Sequence, residues 1–418
     1  MIDKLKYRVE EKIGCKITNR GDCQLLSNAI LDVVGVDISY NTIRRLYDLA
    51  PRTKPNKRTL DALAMFIGYK NYVQFTQDYD IIGKQKSTSK IYKLIYAADK
   101  KQILTTIESI KNSQEDFAEF ITLLIRELFH DKNYGLIDEI FKLNALQYQN
   151  FTYSELLHIG NCIGLIIRKQ KFSDIRLINN TNFLHCVYLT FVDYSSLNGY
   201  YGQWANHIFK QKHNGEIRIF CSAIIELRKF LNKERINFHQ EELIYSNQLN
   251  PILCSRLLSL TILKNNKINI DELLGNYFRA HSKKSNLTDF SFELFTTSIL
   301  IKNVAIMAFL IEKLNFKIEY YYQKSHRNSY YLMCGFYYKL TNQKRKEKEY
   351  MSLFNLEECR YSYEEFITVF YLIYSFHNTT VEADKREFKE RYFKAVKNLD
   401  YAYFNESFLM HYFEENTH

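Results

Sequence analysis

Apolar residues recur at helical spacing in three short segments near the start of the chain. The first segment covers residues 22–35, where Asp22 is a candidate N-cap and Gly35 is a typical helix end. Its apolar stripe consists of Leu25, Leu26, Ala29, Ile30, Val33 and Val34. The spacing predicts a helix that packs through this stripe and stops at the glycine.

The second segment begins at Ser39, a good N-cap, and ends by Pro51, which cannot continue a helix. A rotation of about 100° per residue divides this segment into two sides. One edge carries Ile43, Leu46, Tyr47 and Ala50, and the other carries Tyr40, Asn41, Arg44, Arg45 and Asp48. We expect the apolar edge to pack on the protein and the polar side to meet a partner.

A third helix is predicted between the cap Asn56 and the terminating Gly68. Its core positions follow the i, i+3, i+4, i+7 rule, and two aromatic residues of the next segment complete a small core. These residues are Leu60, Leu63, Ala64 and Ile67, with Tyr72 and Phe75.

Charge separates this first part of the chain from the rest. Residues 1–90 hold 16 Lys and Arg against 10 Asp and Glu, whereas residues 91–418 hold 41 against 37. Between Ser39 and Arg58 only Asp48 opposes six basic side chains. A basic module of this kind favours an anionic partner, although a solvated basic face without any partner stays an alternative.

These segments resemble the helix-turn-helix domains found at the head of many bacterial proteins, distant relatives of the phage-repressor class. The resemblance covers roughly residues 20–77 and depends on two short patterns. The first is Ser39, Thr42, Ile43, Arg44, Arg45 and Leu46; the second is Thr59, Leu60, Leu63, Ala64, Gly68 and Tyr69. In this family the helix that begins at the serine enters the major groove of DNA.

The resemblance implies a set of DNA contacts. An arginine, Arg44 or Arg45, would bind guanine, and Asn41 would bind adenine, through paired hydrogen bonds. Other polar and basic side chains would hold phosphates. The expected DNA-binding residues are Ser39, Tyr40, Asn41, Thr42, Arg44, Arg45, Arg52, Lys54, Lys57 and Arg58.

The remainder of the chain predicts a long series of amphipathic helices, among them one over residues 251–264 and one over residues 290–314. The 3 prolines and 13 glycines in 418 residues are too few turn formers for a β-sandwich of many short strands. We expect an all-α protein with three parts: a helix-turn-helix domain over 1–80, a linker over 81–90, and an array of helical hairpins, solenoid-like, over 91–418.

Two phrases of the remainder, SLNGYYGQWANHIF and SYYLMCGFYYKLTNQ, resemble degenerate tetratricopeptide repeats. On that resemblance Gly164, Gly202 and Gly335 would lie where two helices approach closely. A helical domain without repeats remains the alternative.

Candidate chemistry is sparse. The eight cysteines and eleven histidines form no metal-binding motif, and no nucleophile elbow or nucleotide fingerprint is present. We therefore expect no enzyme, no cofactor and no metal, with cysteines that are free thiols. The first residues lack the apolar core of a secretory signal and no stretch of 18 apolar residues exists, so we expect a cytoplasmic protein without a membrane span.

These features together favour a transcriptional regulator that binds double-stranded DNA. This architecture resembles that of peptide-responsive regulators, and the resemblance implies that the helical array senses a peptide or protein ligand and forms a homodimer. Two alternatives stay open: a protein-interaction scaffold whose first domain docks on another protein, as in phage defence or mobile-element control, and an RNA-binding helical array.

Overall fold

The computed structural model is helical throughout the part that it describes. It covers residues 2–51, 55–76, 91, 94–95, 99–111, 116–172, 174–211, 215–239, 241–246, 248–265, 268–281, 287–314, 324–360 and 362–414. Every regular element in these ranges is a helix, so the predicted all-α class is confirmed.

The chain forms two compact units, Met1–Ile103 and Leu104–His418. The predicted linker 81–90 lies outside the described residues. The predicted domain bounds therefore stay a prediction.

Four helices build the core of the first unit: α1 (Ile2–Ile13), α2 (Arg20–Val34), α3 (Tyr40–Leu46) and α4 (Lys57–Phe66). Helix α2 packs against both α3 and α4, and α1 packs against α4. The best-buried core residues include Val9, Leu26, Ile30, Ile43 and Phe75, and all of these except Val9 were predicted to pack. Helix α1 was not among the elements predicted from the sequence.

The start of α2 corrects one predicted cap. Asn19, not Asp22, is the N-cap, and the two form a reciprocal pair in which each side chain accepts a hydrogen bond from the other's backbone N–H. Asp22 also accepts the Thr18 backbone N–H at 2.9 Å, the main reason its pKa is lowered. The helix therefore begins three residues earlier than Cys23, and Gly35 ends it at φ 69°, as predicted.

The apolar stripe predicted on α2 is wider than the side that packs. Leu26 and Ile30 are buried, but Leu25 is 52% exposed and Val33 is 60% exposed. The buried arc of this helix is centred near Ile30, because α3 and α4 cover only that side.

The second unit contains seventeen further α-helices within the described residues, together with short 3₁₀ turns and a π-helical turn at Leu184–Tyr188. The helices are α5 (Lys100–Ile110, which begins just before the unit boundary), α6 (Phe117–His130), α7 (Tyr134–Phe141), α8 (Tyr153–Gln170), α9 (Ile175–Ile178), α10 (Thr181–Phe183), α11 (Tyr200–Lys210), α12 (Glu216–Leu231), α13 (Pro251–Lys264), α14 (Ile270–His281), α15 (Leu287–Leu300), α16 (Val304–Leu314), α17 (Lys324–Leu340), α18 (Lys344–Leu353), α19 (Glu364–Asn378), α20 (Glu382–Leu399) and α21 (Glu406–Met410).

Many neighbours in this list are paired as hairpins. Helices α6, α15 and α17 are each followed by a residue in the left-handed conformation, two positions after the helix ends. These residues are Lys132, Lys302 and Asn342, and in each case the next helix begins two positions later. In each turn a backbone N–H bonds back to a carbonyl five residues earlier, as in Asn303 N to Ser298 O at 2.9 Å. The segment 290–314, which the sequence predicts as one helix, is divided by this turn into α15 and α16.

Packing in the second unit brings alternate helices together. Helix α13 packs on α15, α15 packs on α17, and α17 packs on α19, while α14 packs on α16. Stacked hairpins produce such a pattern. The resemblance of these hairpins to degenerate tetratricopeptide repeats stays a prediction.

The three glycines singled out in the sequence each allow a close approach. A Cβ at Gly335 would lie 2.3 Å from the Met351 sulfur on α18, and one at Gly202 would lie 1.9 Å from the Leu197 carbonyl oxygen. At Gly164 the neighbour is the Phe191 ring. Only Gly335 separates two α-helices, so the expectation that all three lie between helices is confirmed for one of them.

Candidate nucleic-acid interface

Helix α3 begins where its sequence predicts. Ser39 has extended backbone angles, and its hydroxyl accepts the Thr42 N–H at 3.3 Å and contacts the Thr42 hydroxyl at 3.0 Å. These contacts satisfy polar groups at the start of the helix. Both side chains are therefore engaged in shaping α3, and a phosphate would have to share them.

The apolar edge of α3 holds the helix on the first unit. Ile43 is fully buried and Leu46 is nearly so, and both belong to the core that α2 provides. Truncating a buried aliphatic side chain to alanine costs about 2–5 kcal/mol, so these two residues fix the position of α3 strongly for a seven-residue helix.

Helix α3 is shorter than predicted, because its end is set by the turn and not by Pro51. The helix stops at Leu46, Asp48 adopts a left-handed conformation at φ 60°, and the Leu49 N–H bonds to the Arg44 carbonyl at 2.8 Å. Ala50, expected on the packed edge, lies beyond the helix.

Helix α1 secures this end of α3. Tyr47 donates its hydroxyl hydrogen to the Lys6 carbonyl at 3.3 Å, and the Lys6 ammonium lies 3.3 Å from the Asp48 carboxylate. The ammonium also sits 5.5 Å from the centre of the Tyr47 ring. Burial raises the pKa of Tyr47 above its ordinary value, so this phenol stays protonated as a donor.

The two adjacent arginines of α3 have different surroundings. Arg45 is exposed, and its guanidinium has no hydrogen bond or ion pair to the residues that the structure describes. Arg44 is half-buried and donates to the Asn41 Oδ1 and to the Leu49 carbonyl, both at 3.3 Å. The expectation that both arginines stand free of the packed side is therefore correct for Arg45 only.

Tyr40, half-buried at the front of α3, is held by a residue outside the predicted set of DNA contacts. The Arg20 guanidinium, on the first turn of α2, donates to the Tyr40 hydroxyl at 3.1 Å and lies 4.9 Å from the centre of its ring. This contact brings a third cation to the front of α3. Only the fold reveals it, because twenty positions separate the two residues.

The start of α4 presents two further cations. Lys57 and Arg58 are exposed, and the Asn56 side chain caps the helix by accepting the Thr59 N–H at 2.8 Å. Arg52 and Lys54, also expected to contact DNA, lie outside the described residues.

The second unit contains a polar cluster of a different kind, buried between helices. The Arg256 guanidinium on α13 and the Glu293 carboxylate on α15 form an ion pair at 3.0 Å, with side chains only 5% and 3% exposed. Tyr194 and Tyr363 donate their hydroxyl hydrogens to the same carboxylate at 2.7 and 2.5 Å. Although burial opposes the charge, Glu293 raises the pKa of Arg256. Because both charged side chains are shut off from solvent, the cluster connects helices α13 and α15 and does not offer a site for a substrate.

The cysteines and the possible metal ligands of the described residues form no disulfide and no metal-binding cluster. All eight cysteines are free thiols, six of them buried, as expected. Burial raises the pKa of Cys162 even though His158 lies 3.9 Å away, so this pair is not an activated nucleophile. Among the described residues no group of three His, Cys, Asp or Glu is placed to hold a metal, and no helix is both long and apolar enough to cross a bilayer.

The comparisons with known proteins were negative. No protein-family model, no curated protein and no solved structure matches this chain.

Proposed function

We propose that the first unit binds double-stranded DNA through the outward side of α3 and that the chain regulates transcription. In this proposal the second unit senses a peptide or protein ligand and forms a homodimer. The observation that carries the proposal is the division of α3 into a buried apolar edge and an exposed side with Asn41 and Arg45.

The dimensions and chemistry of α3 support groove entry. A B-DNA major groove, about 12 Å wide, admits one helix, and arginine and asparagine are the side chains that bind guanine and adenine in pairs of hydrogen bonds. Between Ser39 and Leu46 the sequence has two arginines and no acidic residue. A duplex would therefore meet no like charge on the helix that it approaches.

Cations around α3 and α4 supply candidates for phosphate contacts. Arg20, Lys57 and Arg58 are exposed side chains of the same unit. Such contacts add affinity that does not depend on base sequence and that salt weakens.

The direct test is a titration of labelled duplex DNA with the full chain, followed by fluorescence anisotropy at several salt concentrations. About six phosphate contacts predict a log–log slope of the binding constant against salt near −5. Arg45→Ala should weaken binding to a selected duplex by about 5- to 150-fold, since a paired contact to guanine is worth about 1–3 kcal/mol. Arg386→Ala, an exposed arginine of α20, removes the same charge from the second unit and should leave affinity unchanged.

Dimer formation has its own measurement. A homodimer that presents two copies of α3 would bind half-sites about 34–36 Å apart, or a multiple of that spacing. Light scattering on the full chain and binding to duplexes with altered half-site spacing test this part. A monomer that binds a single site as tightly would contradict it.

One observation favours a second function, a scaffold whose first unit docks on a protein. Leu25 and Val33 leave an apolar flank exposed on α2. A protein contact through that flank should depend weakly on salt and should be lost in Leu25→Ser, whereas the DNA titration should not respond to that change.

A further inference from the structure

We propose that Arg44 is a positioning residue that orients Asn41 and fixes the turn after α3, so that base contacts belong to Arg45, on guanine, and to Asn41, on adenine. The inference builds on the proposed DNA-binding function and assigns separate roles to two adjacent arginines. The sequence alone does not distinguish which of the two arginines contacts a base.

The contacts of Arg44 point away from a partner. One guanidinium nitrogen donates to the Asn41 Oδ1 on the preceding turn, and another donates to the Leu49 carbonyl in the turn that follows α3. Burial raises the pKa of the Cys23 thiol on α2, and the nearby Arg44 charge partly opposes that rise. The Arg44 side chain thus spans both ends of a seven-residue helix and lies close to α2.

Arg45 has the opposite surroundings. It is exposed, and all five of its donors are free of the residues that the structure describes. Its neighbours Ile43 and Leu46 are buried, so the backbone that carries Arg45 is firmly held. A rigid helix with a free guanidinium suits paired contacts to guanine O6 and N7.

Asn41 lies one turn before Arg45 and is exposed. The bond from Arg44 occupies one lone pair of the Asn41 Oδ1 and turns this oxygen toward Arg44. Among the residues that the structure describes, nothing else binds the two hydrogens of the amide nitrogen or the second lone pair of the oxygen. Those are the groups that pair with adenine N7 and N6, so Arg44 presents Asn41 ready for adenine.

The spacing of Asn41 and Arg45 limits how far apart the two recognised bases can lie. Residues four apart in a helix lie on one side and are separated by about 6 Å along the axis. Base pairs stack roughly 3.4 Å apart. The guanine and the adenine should therefore lie within one or two steps of each other.

The experiment selects duplexes from a randomised pool with the full chain and then measures the affinity of variants by anisotropy. The selected duplex and its single-base substitutions are titrated with wild type, Arg45→Met, Arg44→Met, Asn41→Ala and the double variant Asn41→Ala/Arg44→Met. Arg45→Met should abolish the preference for guanine. Arg44→Met should keep the preference for guanine but reduce the preference for adenine by about fivefold or more, and Asn41→Ala should reduce the preference for adenine by a similar factor. The double variant should discriminate no worse than Asn41→Ala.

A second variant separates positioning from charge. Arg44→Lys keeps the cation but lacks the planar fork that reaches two acceptors, so it should reproduce the weaker adenine preference while it retains salt-dependent affinity. It also covers the case in which Arg44→Met fails to fold.

Two results would overturn the assignment while DNA binding stands. One is loss of the guanine preference in Arg44→Met, and the other is an equal loss of affinity for every duplex in both Arg44 variants. If wild type enriches no sequence and binds no duplex, the proposed function fails, and this inference fails with it.

Discussion

The buried pair of Arg256 and Glu293 gives the sharpest prediction for stability. Glu293 accepts hydrogen bonds from Arg256, Tyr194 and Tyr363, and both charged side chains are almost fully excluded from water. Removing one partner of a buried ion pair leaves an uncompensated charge and costs about 3–5 kcal/mol. We therefore expect Glu293→Gln to lower the free energy of unfolding of the second unit by that amount.

A double variant distinguishes desolvation from packing. Arg256→Met/Glu293→Leu removes both charges and retains similar volumes, so the desolvation cost disappears along with the attraction. Its loss should be clearly smaller than the summed losses of Arg256→Met and Glu293→Leu, because each single variant leaves one buried charge without its partner. The tyrosine hydroxyls would keep a cost of about 1–3 kcal/mol each if they found no new acceptor.

The chain provides a convenient probe for this measurement. Its single tryptophan, Trp204, is buried in the second unit and packs against Tyr200 at 5.1 Å between ring centres. Urea unfolding followed by tryptophan fluorescence therefore reports on that unit. With a slope near 3 kcal/mol per molar urea, Glu293→Gln should lower the midpoint by about 1–2 M. A shift below about 0.3 M, or a double variant as damaged as the sum of its single variants, would refute this account of the cluster.

Three further predictions use matched changes elsewhere. Gly202→Ala should destabilise the second unit by about 3 kcal/mol or more, since its new Cβ meets a backbone carbonyl. Gly275→Ala on α14 should instead stabilise it by up to about 1 kcal/mol, since the nearest atom to the new Cβ, an Arg279 side-chain nitrogen, lies 3.9 Å away. Equal effects of the two substitutions in urea unfolding would count against the close approach. Burial lowers the pKa of His326 to about 3, so the unfolded chain binds a proton at this imidazole more readily than the folded chain does. The free energy of unfolding should therefore fall as the pH drops from 6.5 toward 3, by up to about 1.4 kcal/mol per pH unit. His326→Leu should flatten that part of the plot of stability against pH. Ile43→Ala should cost the first unit about 2–5 kcal/mol, seen as lost hydrogen-exchange protection in α3, while Asn41→Ala on the exposed side should change protection little.

The ends of the helices in the first unit could largely be predicted from sequence. Ser39, Gly35 and Asn56 act where their residue types predict, because a cap is a contact between residues two to four positions apart. Asn19 was missed, although it precedes Asp22 by the spacing of a reciprocal cap.

Periodicity predicted most helices of the second unit but not their interruptions. The segment 251–264 matches α13 at both ends, whereas 290–314 divides at Lys302. A left-handed lysine gives no signal of the kind that glycine gives, since only packing of the two helices compensates for its less favourable backbone.

For the candidate interface, the sequence by itself determined that a short capped helix has one apolar edge and two arginines on its other side. Only the tertiary structure decided that Arg44 bonds to Asn41 and Leu49 while Arg45 stays exposed. It also brought Lys6 to Asp48, just after α3, and Arg20 to Tyr40, at the start of α3. It likewise left Leu25 and Val33 uncovered. The physical reason is distance along the chain: helix periodicity fixes which side chains share a face, but what covers a face depends on residues that only folding brings near.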